Sequence, residues 1–143
     1  MSRILAIDFG TKRTGLAVTD TLQIIATGLT TVDTKSIFEY LGAYVAKEPV
    51  EMFVVGEAKN LDGTEAQSTN AINEFIKSLQ NKFPHIPIVQ EDERFTSKMA
   101  FQTMIDSGLN KSKRRDKKLI DEISAVIILQ SYMQRKEIEK QNH

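Results

Sequence analysis

ILAIDFGTKRTGLAVTD, residues 4–20, is the stretch on which the fold turns. Two short β-type runs, 4–9 and about 14–19, are separated by GTKR, the spacing of an antiparallel hairpin. Within the first run stands Asp8, and a carboxylate in a buried strand is costly unless something pairs with it. Two explanations are open. Asp8 is either a structural aspartate bonded to turn amides or to Lys12 or Arg13, or it is held there for chemistry. Gly10 and Gly15 permit close backbone approach and Thr11 carries a hydroxyl, so the turn is also suited to receive a phosphate.

Outward from this hairpin, residues 23–32 read as a third strand, after which Asp33 or Thr34 is placed to cap a helix. Ile37, Leu41, Tyr44 and Val45 make one apolar stripe on that helix, which Pro49 ends. MFVVG, 52–56, is apolar throughout, as expected of a parallel strand covered on both faces. NLDGTE, 60–65, supplies a turn and a cap for a second helix carrying Ile72, Phe75, Ile76 and Leu79 and ending before Pro84. IPIVQ, 86–90, is the next strand. A helix is expected over 97–107, with Phe101, Met104 and Ile105 at helical spacing and Gly108 as its stop. The last helix, about 120–134, contains ISAVIIL and is too apolar all round to lie on the surface; the polar tail after Met133 is expected to fray.

The order βββαβαβαα predicts a mixed five-stranded sheet, the first three strands antiparallel and the later ones parallel, with helices on both faces. That is the α/β layout of ribonuclease H-like proteins. At 143 residues the chain has the size of one domain, 1–143. The absence of cysteine excludes disulfides, cysteine-bound zinc and thiol catalysis. No apolar stretch approaches the length of a membrane span and the N-terminus does not resemble a secretory signal, which points to a cytoplasmic protein with no membrane partner. Net charge is zero but unevenly spread. KSKRRDKK, 111–118, holds six of the 19 basic residues and one of the 19 acidic, a local +5 balanced by −5 elsewhere.

Chemistry gathers in three places besides Asp8. EDERFTS, 91–97, sets three acids and Arg94 at a strand end, where parallel sheets build their sites, although a solvated charged loop would read the same way. Glu93 is the leading second carboxylate; Asp92 is suited to capping or to pairing with Arg94, and Thr96 or Ser97 to capping the next helix. Asp121 and Glu122 open the final helix, where an acid also serves as cap or dipole partner, but Asp121 shares a face with Ala125, Ile128 and Tyr132 and so turns inward. Three acids on separate elements, with only His85 and His143 as imidazoles, suit Mg2+ or Mn2+. Two such ions about 4 Å apart would activate water and stabilise the leaving oxygen in phosphodiester cleavage. Lys113, Arg114 and Arg115 lie just before Asp121, at the rim of the same site, and are suited to phosphate contact; as a charged run they also fit a merely solubilising loop.

DFGTKRTGLAVTD, VVGEAKNLDGTE, EDERFTS and IDEISAVIILQSYM, in this order over nearly the whole chain, resemble the YqgF family. Its members are bacterial ribonuclease H-like proteins described as Holliday-junction-resolvase-like and as pre-16S rRNA nucleases. The resemblance implies a divalent-metal nuclease with Asp8, Glu93 and Asp121 as its carboxylates, and Lys12, Arg13 and Arg94 as candidates for backbone phosphates. The implied substrates are the 5′ side of the small-subunit rRNA precursor or branched DNA. Three positions depart from the family pattern. Glu57 and Ala58 stand where a Leu-Pro pair is usual, which makes Glu57 a rival or supplement to Glu93, and Phe95 replaces a leucine. Other classes compete. IDFGT also resembles the phosphate loop of actin- and sugar-kinase-type ATPases, which close on nucleotide with two such domains, and a binding module without turnover would share the fold. Junction resolution would require a dimer with two symmetric sites, whereas trimming of a single strand needs only a monomer.

Overall fold

The computed structural model describes residues 1–58, 69–93 and 117–141. In chain order they form β1 (Arg3–Asp8), β2 (Arg13–Thr19), β3 (Ala26–Asp33), a 3-10 turn at Thr34–Ser36, α1 (Ile37–Lys47), β4 (Val50–Ala58), α2 (Thr69–Lys82), β5 (Ile88–Glu93) and α3 (Lys117–Gln141). One sheet runs β3-β2-β1-β4-β5. β1, β2 and β3 pair antiparallel with one another, while β4 lies parallel to both β1 and β5. This is the mixed five-stranded sheet expected from the element order. The helix expected over 97–107 and the basic run up to Asp116 lie outside the described residues.

Strand alternation divides β1 between two cores. Leu5, Ile7 and Phe9 join Leu16, Phe53 and Val55 under α1 and α2, where Ile37, Leu41, Ile72, Phe75 and Leu79 close the layer. Ile4 and Ala6 instead join Ala17 and Val54 under α3, which contributes Ala125, Ile128, Leu129 and Tyr132. The second face is built from small residues, so α3 lies close to the sheet. That closeness explains why ISAVIIL is apolar on more than one side: Ala125, Ile127, Ile128 and Leu129 are all buried. Phe53, Val54 and Val55 are at most 1% exposed, which bears out β4 as a strand covered on both faces.

Several boundaries differ from the sequence reading, each for a local reason. β3 starts at Ala26 rather than near residue 23 because Asp20 accepts hydrogen bonds from the amides of Leu22, Ile24 and Ile25 and folds that stretch into a turn, with Gln23 at φ 58°. Neither Asp33 nor Thr34 caps α1 with its side chain, since the 3-10 turn intervenes and Thr34 is engaged elsewhere. β5 begins after Pro87 and continues through Glu93, so the acids at 91–93 belong to the strand rather than to a loop following it. α3 begins at Lys117, which puts Asp121 inside the helix instead of at its cap, and runs to Gln141. Past Met133 it is held by Arg135, whose Nη2 donates to Glu91 at 2.6 Å and whose guanidinium lies 5.5 Å from the Tyr132 ring.

Candidate active site

β1, β4 and β5 all end at one edge of the sheet, the edge at which Asp8 stands. Asp8 is 6% exposed and shares the row of Ile4 and Ala6, hence the α3 face. Its Cα partners are Gly15 on β2 and Gly56 on β4. Both neighbours lack a Cβ because α3 passes directly over them. A Cβ on Gly15 would overlap the carbonyl oxygen of Asp121. The expected close approach at Gly15 is thus made by a helix backbone, and through it the Asp121 backbone lies over the β2 partner of Asp8.

Arg13, at the start of β2, donates from Nε to Oδ2 of Asp121 at 2.9 Å. The Arg13 Nε thus serves the helix-borne aspartate. The turn that carries Lys12 and Arg13 is itself tied down. Thr34 Oγ1 donates to the Gly10 carbonyl at 2.5 Å and lies 2.8 Å from Thr14 Oγ1, and the Thr34 amide donates to the Lys12 carbonyl at 3.0 Å. A Cβ on Gly10 would overlap the Arg13 carbonyl, so the turn closes only with glycine there. Thr34 as a brace of this turn was not readable from its neighbours, because both contacts span more than 19 residues; its polar character suggested a helix cap instead. Lys12 is exposed beside the site.

The acids of β5 separate by role. Glu91, paired in register with Gly56, is held by Arg135 and so fastens α3 to the sheet. Backbone pairing sets Glu57 opposite Asp92 and Ala58 opposite Glu93. By alternation position 93 shares the row of Glu91 and of the α3 face, whereas position 57 shares the row of Phe53 and Val55. His85 precedes β5 at the opposite edge, exposed and remote from Asp8. Arg94, Lys113, Arg114 and Arg115 lie outside the described residues. Among the described residues no three acidic or imidazole side chains form a ready metal cluster, and no helix is long and apolar enough to cross a membrane.

Comparison with known proteins places this geometry. The chain is similar in fold to a solved structure, T. thermophilus RuvC in complex with Holliday junction substrate, with a TM-score of 0.54 at 15% identity, covering 95% of this chain and 96% of that one. Much closer in sequence are curated proteins named "Putative pre-16S rRNA nuclease". That of Christiangramia forsetii is 58% identical over 93% of this chain and 98% of its own length. Those of Flavobacterium johnsoniae and Bacteroides thetaiotaomicron are 54% and 52% identical, each over 95% of this chain and 99% of theirs. Residues 2–135 match the family described as "RuvX: Holliday junction resolvase", and the chain belongs to that family.

Proposed function

We propose that the protein is a divalent-metal-dependent nuclease that hydrolyses phosphodiester bonds in structured nucleic acid, with Asp8, Glu93 and Asp121 as its carboxylates. The observation that carries this reading is the seating of the Asp121 backbone on Gly15, the β2 partner of Asp8, on the α3 face where the parallel strands end. A buried aspartate and a helix-borne aspartate on one glycine make a donor set of hard oxygens, and the chain has no cysteine to offer a softer one. The set fits Mg2+ or Mn2+. From two strand spacings and two residue rises, position 93 lies roughly 12 Å from position 8, a separation of backbones that two carboxylates and a pair of ions would span. The shared row of position 93 and Asp8 favours Glu93 over Glu57 as the third ligand. When bound, such ions supply an activated water and charge stabilisation at the leaving oxygen.

The residues themselves do the positioning. Asp8 is fixed by two strands, Asp121 by its helix and by Arg13, and Lys12 stands exposed on the braced turn where a substrate phosphate would approach. For the substrate, the names of relatives more than half identical to this chain favour pre-16S rRNA. The family description favours branched DNA as the second reading. The test is Mn2+-dependent cleavage of a pre-16S rRNA fragment and of a four-way DNA junction by wild type and Asp8→Asn. We expect the variant to lose cleavage while keeping its circular-dichroism spectrum and its binding of nucleic acid. Equal cleavage by both proteins would overturn the assignment.

A further inference from the structure

Resting on the metal reading above, we infer that Arg13 is a latch on the site: its guanidinium and a divalent cation compete for the Asp121 carboxylate, so that loading the ion releases Arg13 toward the substrate phosphate. The Arg13 Nε to Asp121 Oδ2 bond is 2.9 Å long, and the two side chains are 31% and 24% exposed. An ion such as Mg2+ takes its oxygens at about 2.1 Å, and a guanidinium nitrogen 2.9 Å from Asp121 Oδ2 already occupies one lone pair of that oxygen and repels a cation brought to it. Both backbones are anchored. Arg13 is held in the turn closed by Gly10 and Thr34, and Asp121 is held against Gly15. Exchange of partners on the carboxylate therefore needs only side-chain rotation. A part-exposed pair of this kind is weak enough to yield to a doubly charged ion. Once released, the guanidinium stands beside Lys12 with its fork of donors free for a phosphate, which accounts for a basic residue serving both an acid of the site and the ligand's charge.

The experiment measures Mn2+ binding to the full-length protein without nucleic acid, by the paramagnetic resonance signal of free Mn2+, for wild type, Arg13→Gln, Arg13→Met and Asp121→Asn. Circular dichroism checks that each variant is folded. Both neutral replacements of Arg13 are expected to tighten Mn2+ binding, by between about threefold and tenfold from the worth of a part-exposed ion pair plus relieved repulsion. Asp121→Asn is expected to weaken it at least about tenfold, the effect of losing a charged ligand. Weaker or unchanged binding in folded Arg13→Gln and Arg13→Met, alongside weakening in Asp121→Asn, would overturn the latch and leave the metal site standing. Unchanged binding in Asp121→Asn would remove Asp121 from the metal site and the latch with it.

Discussion

Gly15 shows how much of this site depends on a missing side chain. Its Cα faces Asp8 across the hairpin and its open face receives the Asp121 carbonyl, so one residue sets the distance between two acids 113 positions apart. Gly15→Ala would drive a methyl into backbone, which has no rotamer with which to yield. We expect a loss of about 1–3 kcal/mol in urea unfolding, the usual cost of overpacking, together with loss of metal-dependent cleavage. A stability within 0.3 kcal/mol of wild type, taken as roughly the resolution of such measurements, would mean that α3 does not rest there. At this scale Asp8 and Asp121 were readable in advance, because a carboxylate in an apolar strand and one on the inward stripe of an apolar helix both violate local expectation. The partner of Arg13 was not. Arg13 and Asp121 are 108 residues apart, and no spacing rule connects them.

Among the elements, α3 does most to build the site, since it covers the hairpin, closes the second core and carries Asp121. Its seat is Ile128, fully buried, which packs on Gly56, the β4 partner of Asp8. Ile128→Ala would leave a cavity between helix and sheet. The expected cost is about 2–4 kcal/mol by chemical denaturation, with Mn2+ affinity falling because Asp121 rides on the same helix. Ile128→Val should lose only about 1 kcal/mol. The order of the described elements followed from periodicity and turn signals, and β4 and α2 matched their apolar patterns closely. Their ends did not. β5 extends through three acids because β4 lies alongside to pair with them, and α3 extends past Met133 because Glu91 and Tyr132 engage Arg135. Local composition argued against both extensions, and contacts with other elements outweighed it.

For the molecule as a whole, charge is unevenly spread. The basic run 111–118 directly precedes and enters α3, ending three residues before Asp121, and its excess of +5 opposes −5 over the remainder. Replacing Lys113, Arg114 and Arg115 together by glutamine is expected to reduce the magnitude of the log–log salt slope of nucleic-acid binding by about 2, if each side chain neutralises most of one phosphate. An unchanged slope would assign the run to solubility. The mass of the protein in solution bears on substrate at the same scale, since junction resolution requires two symmetric sites and strand trimming does not.

The chain's own pattern of apolar and polar residues determined the order of the described elements, the mixed sheet and the family, because those depend on periodicities and motifs that span only a few neighbours. Only the tertiary structure decided which groups meet. Register alternation put positions 8 and 93 in one row and position 57 in the other, the helix came to rest on Gly15, and Arg13 turned to Asp121. The physical reason is that each of these is a contact between residues distant in sequence, settled by how closely backbones can approach once the sheet and α3 are packed.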